Sequence, residues 1–170
     1  MNAHAIPDFR SMLRKYSVAV LVTRGQGTGT PFRSRPMAIA QVDDNCDLWF
    51  ITGDDSAKVH EIEADTHVHV ICQDGHSGFL TVTGKASLHH SRDKIHELWR
   101  AGFLPWFPGG KDDPNIVLIH VMGEHGEFWD NHGLNGVKYA YEALKAVMTG
   151  TTPRVEEGKQ HGEVDLRLQH

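Results

Sequence analysis

The residues of this chain best suited to chemistry are anion binders gathered in one stretch, 34–62, SRPMAIAQVDDNCDLWFITGDDSAKVHEI. Thr52 and Ser56 offer hydroxyls and Lys58 an ammonium, all around the point where an apolar run gives way to a helical pattern. A helix N-terminus presents unpaired N–H groups and a partial positive charge, and so favours a phosphate. Arg35, on the preceding run, is placed to fork onto the same phosphate. These residues also have a plain structural reading, in which Thr52 ends a strand, Ser56 caps a helix and Lys58 sits on a solvated face. Asp54 and Asp55 favour that plain reading unless their carboxylates turn away, because they repel a phosphate.

A second group is aromatic. The segment 105–114, PWFPGGKDDP, holds Trp106 and Phe107 between two prolines whose fixed φ limits how the rings fold away. They form either a wall over a bound ligand or a plug over one end of a barrel. Histidines form a third group, 13 in all and spread through the chain. His67 and His69 share one strand face by their two-residue spacing, and His89, His90, His125 and His132 could add ligands. No HExxH or CxxC spacing supports a zinc site. These imidazoles are therefore expected on a solvated sheet face, and no metal is expected. Cys46 and Cys72 have no basic neighbour in sequence and read as inert core thiols. The chain carries neither a P-loop nor a Gly-rich dinucleotide fingerprint.

These groups need elements to hold them. Pro7 suits the first turn of a short helix, with Phe9, Met12 and Leu13 on one apolar stripe. Strands are predicted at 17–23, 32–42 and 47–52, the last two joined through Asp43-Asp44-Asn45 as an antiparallel hairpin. The period then changes over 55–64, a short helix with Asp54 or Asp55 as its N-cap. Strands follow at 67–72 and 78–88, where Gly84 marks a bulge or a close backbone approach. Ser91 caps a helix running through Trp99, 105–114 is a rigid irregular loop, 116–128 is a last strand and 135–148 a last helix. About six strands joined mostly by tight turns predict a mainly β fold with flanking α-helices, a six-stranded antiparallel split barrel. Residues 1–150 are expected to form one domain and 151–170 an extended polar C-terminal tail.

Composition narrows the function classes. The chain has 170 residues, enough to bury a core without staples. Lys plus Arg number 17 against 22 Asp plus Glu, a formal net charge of −5. Mild acidity argues against nucleic acid or an anionic membrane as the main partner. No apolar run approaches the ~20 residues of a membrane span. MNAHAIPDFR lacks the apolar core of a signal peptide, and isolated cysteines fit a reducing compartment. The expectation is a cytoplasmic protein.

The SRPM strand, the WFITGDDSAKVHEI turn, the WFPGGKDDPN loop and the late EFWD, in this order, resemble the pyridoxamine 5′-phosphate oxidase-like flavoproteins. Within them the likeness is to the bacterial general stress protein group, and it covers about 7–150. The resemblance implies an FMN-binding split β-barrel, FAD being possible, that works as a homodimer with flavin at the subunit interface. By position it implies a first flavin contact at Arg35, Pro36 and Met37 and a second at Ile51 and Thr52. It implies a phosphate-binding turn at Ser56 and Lys58, and a ring reaching the flavin region at Trp129. The plain reading of Trp129 is a core residue of the last strand. Trp106 and Phe107 would then face the flavin or its substrate. True pyridoxamine phosphate oxidases grip the vitamin's phosphate with an arginine- and histidine-bearing segment after the late tryptophan. Here Asp130-Asn131-His132-Gly133-Leu134 follows, with no arginine until Arg154, and Phe79-Leu80 replaces an expected glutamine. The implied function is a flavin-dependent oxidoreductase on a small substrate other than pyridoxamine phosphate, with no protein residue named as catalytic. A non-catalytic flavin carrier or sensor, and a haem or metal protein on the same barrel, are the alternatives.

Overall fold

The computed structural model describes residues 5–26, 31–73, 78–130 and 161–169. In chain order its elements are α1 (Ala5–Leu13), β1 (Val18–Arg24), β2 (Phe32–Val42), β3 (Leu48–Gly53), α2 (Ala57–Ala64), β4 (His67–Gln73), β5 (Gly78–His89), α3 (Arg92–Leu98), β6 (Ile116–Asp130) and β7 (His161–Asp165). Short 3-10 turns at Ala101–Phe103 and Gly110–Asp112 shape the loop between α3 and β6.

Period-two burial makes the strands. β1 turns Ala19, Leu21 and Thr23 inward, and β4 turns in Val68, Val70 and Cys72, with more exposed residues between them. The described strands form one antiparallel sheet in the order β3-β2-β1-β4-β5-β6-β7. β3 also pairs with β6, from Leu48 opposite Val121 to Gly53 opposite Ile116, so the first six strands close on themselves. The expected six-stranded antiparallel barrel is what the chain forms. Leu21, Phe50, Val70, Leu80, Val82 and Ile119 belong to its core, which Phe9 and Leu13 of α1 join, both fully buried. A second apolar cluster packs Ile95 and Leu98 of α3, with Phe103 and Phe107, against Ile51, Ile116 and Leu118.

Gly84 sits where the β5–β6 register slips: Thr83 faces His125 but Gly84 faces Gly123, leaving Glu124 as the extra residue. A Cβ at Gly84 would lie 2.0 Å from the Met122 carbonyl oxygen, so the bulge and the close approach coincide.

Part of the segment expected as a polar tail is built into the sheet. β7 pairs with β6 from His161 opposite Trp129 to Asp165 opposite His125, and Val164 and Leu166 are buried. The polar composition of the segment hid these two apolar residues, whose two-residue spacing is a strand's inward face. The helix expected at 135–148 lies outside the described residues. Among the described residues no helix is long and apolar enough to cross a membrane.

Candidate functional site

A cavity of about 1130 Å³ opens beside β2 and β3. β2 supplies Arg35, Pro36 and Met37, and β3 supplies Ile51 and Thr52. Ser56 and Lys58 come from the start of α2, and Phe103, Trp106 and Phe107 from the loop after α3. The structure thus gathers every sequence-predicted site residue except Trp129 around one space.

The turn from β3 into α2 organises the polar end. Ser56 donates its backbone N–H to the Gly53 carbonyl at 3.1 Å, and α2 begins at the next residue. The N-cap is Ser56, not Asp54 or Asp55, and its side chain makes no capping hydrogen bond. Instead its Oγ lies 3.4 Å from Thr52 Oγ1, and Lys58 Nζ donates to the same Thr52 oxygen at 2.8 Å. Two hydroxyls and an ammonium therefore converge at the end of β3. The acidic neighbours are engaged elsewhere: Asp54 Oδ1 is 3.0 Å from His90 Nε2, and Asp55 Oδ1 accepts from Asn115 Nδ2 at 3.0 Å. Asn115 also accepts the Asp54 N–H at 2.7 Å through its carbonyl. The loop entering β6 thereby clamps the turn. These contacts turn the Asp54 carboxylate to His90 and tie the Asp55 carboxylate, which lines the cavity, to Asn115.

Burial lowers the Lys58 pKa below that of an ordinary lysine, the Arg35 charge lowers it further, and Glu61 and Asp55 oppose both. An anion placed between such crowded cations relieves their mutual repulsion.

Arg35 does not point loosely into the cavity. Its Nη2 pairs with Glu61 Oε2 at 2.7 Å, and its Nη1 donates to Thr23 Oγ1 at 2.6 Å. Thr23 in turn donates to Glu61 Oε2 at 2.5 Å, and Arg33 Nε lies 3.5 Å from Glu61 Oε1. Glu61 is buried and Arg35 partly so. Sequence reasoning missed Glu61 and Thr23. The available signal was a polar residue at a core position: Thr23 falls in line with Ala19 and Leu21, and Glu61 lies beside buried Val59 and Ile62.

The two loop aromatics divide the roles expected of them. Trp106 is 73% exposed at the cavity wall. Phe107 is buried, its ring 6.2 Å from that of Trp99, and plugs the space between α3 and the sheet.

Trp129 lies apart from the cavity of its own chain. It sits near the far end of β6, opposite Phe79 and His161, and stacks on the His161 ring at 5.0 Å. Roughly 45 Å of strand contour, at ~3.3 Å per residue, separates it from Asn115. Within one chain it does not line the cavity, and a single sequence shows only its place on a strand. The cysteines are buried and unpaired, and burial pushes their thiols up to about 11 for Cys46 and about 12 for Cys72. They are inert at neutral pH, as expected.

Comparison with known proteins points one way. Residues 4–154 match the family described as "Pyridoxamine 5'-phosphate oxidase like". Over 85 residues, 48% of the chain, it is 29% identical to General stress protein 26 of Bacillus subtilis (strain 168), and the match spans only 60% of that relative's length. The solved general stress protein 26 structure from Jannaschia sp. CCS1 superposes with a TM-score of 0.71 at 26% identity, over 96% of this chain and 99% of that one. A general stress FMN/FAD binding protein from Xanthomonas citri gives a TM-score of 0.62 at 25% identity, over 78% and 92% of the two chains.

Proposed function

This chain belongs to the pyridoxamine 5'-phosphate oxidase like family, and from that premise we propose that it is an FMN-binding general stress flavoprotein acting as an oxidoreductase on a small substrate. The observation that supports the reading is the gathering of Thr52, Ser56, Lys58 and Arg35 around one cavity that Pro36, Met37, Ile51, Phe103 and Trp106 also line. Its volume, about 1130 Å³, suits a ligand larger than most single small molecules. That the Xanthomonas citri relative is an FMN/FAD binding protein supports the choice of cofactor.

Each residue has a task under this reading. Thr52, Ser56 and Lys58 hold the phosphate, and Arg35, kept in place by Glu61, adds a second cation. The backbone at Pro36 and Met37, with Ile51, lines the ring, and Trp106 shields it from solvent. Bound FMN would supply hydride acceptance, which no side chain can. The segment after Asp130 that would grip a vitamin phosphate lies outside the described residues, and its sequence lacks the arginine. Pyridoxamine phosphate is therefore not the proposed substrate.

The working unit is a homodimer. Val18, Phe32 and Trp106 ring the cavity while 51%, 61% and 73% exposed, an apolar rim that a second copy would cover. The partner's Trp129 would then reach the flavin region that its own chain's Trp129 cannot. Two unpaired cysteines support a cytoplasmic location.

The test is direct. Denaturing the purified protein should release a yellow cofactor with the mass of FMN, and NAD(P)H should reduce it before a small acceptor reoxidises it. A protein that takes up no flavin ends the proposal. Flavin uptake without turnover over a broad acceptor screen leaves a carrier or sensor in place of the enzyme. A monomer at micromolar concentration in sedimentation removes the dimer.

A further inference from the structure

The outer face of β5, β6 and β7, away from the cavity, gathers imidazoles and carboxylates that the flavin reading does not use. Residues Val70, Val82, Gly126 and Val164 point inward, so their neighbours point out. On β6 these are His125, Glu127 and Trp129; on β7 they are His161, Glu163 and Asp165.

Glu127 lies directly opposite Glu163 in the antiparallel register. Two carboxylates in that relation repel and destabilise the pairing. Two imidazoles approach Glu127: His125 Nε2 is 3.4 Å from its Oε1, and His161 Nε2 is 3.9 Å from its Oε2. One ligand atom each from His125, Glu127 and Glu163 lies within 4.8 Å of the other two. His161 Nε2 is sealed from solvent and has no hydrogen-bond partner. A buried nitrogen left in that state calls for an explanation.

The other such group among the described residues, Asp43, Asp47 and His120, needs none. Asp43 accepts from the N–H groups of Asn45 and Asp47 and from Trp49 Nε1. Asp47 accepts from the Gly123 N–H, and its other oxygen lies 3.0 Å from His120 Nε2. Those lone pairs fix a turn, whereas the His161 nitrogen on β7 has nothing to bond.

We propose that His125, Glu127, His161 and Glu163 form a binding site for a divalent transition metal of the zinc class. A cation there would take up the orphaned His161 lone pair and cancel the facing carboxylates. Two imidazoles with two carboxylates suit Zn²⁺ geometry, while Ca²⁺ and Mg²⁺ prefer oxygen alone. The ligand atoms must draw together by rotamer adjustment of four outward-facing side chains, which leaves the barrel core untouched. Of the histidine pair expected from spacing, His67 is turned away to Asp65 at 2.8 Å, whereas His69 Nε2 is buried without a hydrogen-bond partner, as His161 Nε2 is. The imidazoles come together across strands, where sequence spacing does not reach.

The test is metal titration of the chelator-treated full chain, with Zn²⁺ by calorimetry and Co²⁺ by visible absorption. One metal should bind per chain, and Co²⁺ should give the intense bands of a tetrahedral site. Glu163→Gln and His161→Asn should each weaken binding at least about tenfold with unchanged circular dichroism. Co²⁺ should also quench the Trp129 fluorescence, because that ring stacks on His161. The quench should shrink in Trp129→Phe while the metal still binds. Should a variant unfold, the reading moves to His125→Gln, which must lose the zinc-dependent rise in melting temperature. Absence of saturable binding overturns the site. So does binding unchanged in Glu163→Gln and His161→Asn, or binding lost instead in Asp43→Asn. Flavin content is read separately, so loss of one assignment leaves the other standing.

Discussion

Lys58 and Glu61 sit one helical turn apart on α2 and carry opposite charges beside the cavity residues Thr52 and Arg35. Lys58 meets the hydroxyl of Thr52, while Glu61 holds Arg35 from behind. Lys58→Ala should weaken FMN by ~1.5–3 kcal/mol, the worth of a charged hydrogen bond, and leave riboflavin nearly unaffected. Titrating both flavins by fluorescence quenching checks this, and equal loss would place Lys58 elsewhere. The lowered Lys58 pKa gives the pH dependence its sign. The protonated form attracts phosphate, so FMN affinity should fall as pH rises through a value below the ordinary lysine range. Lys58→Arg, always charged, should abolish that fall. Glu61→Ala should cost stability as well as FMN, because it strands a guanidinium only 19% exposed. Breaking such a pair costs roughly 3–5 kcal/mol, toward the lower end for this partly exposed arginine. Glu61→Gln should cost less, since its amide still accepts from Thr23. Urea unfolding separates the two variants.

At the scale of elements, two irregularities matter, one at the site and one in the barrel. In the β3–α2 turn Ser56 caps the helix by position, without a side-chain capping bond, and its hydroxyl faces that of Thr52 instead. The Asn115 clamp ties that turn to the start of β6, so strand and turn move as one. The second irregularity is the bulge at Gly84, which lets β5 continue along β6 after an extra residue. Gly84→Ala would press a methyl against the Met122 carbonyl, backbone that cannot swing aside. It should destabilise by at least about 1–3 kcal/mol, seen as a lower melting temperature. An unchanged melting temperature would mean that the β5–β6 register is looser than its pairing indicates.

For the whole molecule, closure of β3 onto β6 sets where everything else lies. It leaves the cavity at one end of β6 and puts Trp129, with the His125–Glu163 group, at the other. Closure also leaves β6 with an edge beyond β3, and β7 covers it. Removing 161–170 should therefore expose that edge and empty the places of Val164 and Leu166. Burial of each is worth roughly 1.5–3 kcal/mol, so the shortened chain should unfold at clearly lower denaturant. A truncated chain with unaltered stability would show that β7 packs without binding energy.

The sequence by itself determined the six barrel strands, the barrel class and the grouping of Thr52, Ser56 and Lys58 at one turn. Local patterns carry these: alternation marks β1 and β4, a change of period marks α2, and Thr52, Ser56 and Lys58 lie close along the chain. Only the tertiary structure decided the rest. Glu61 reaches Arg35 and Thr23 across the sheet, Asp54 and Asp55 find partners in His90 and Asn115, and β7 returns from the far end of the chain. Such contacts join residues tens of positions apart. Their existence depends on how the sheet closes, and no local pattern in the chain encodes that closure.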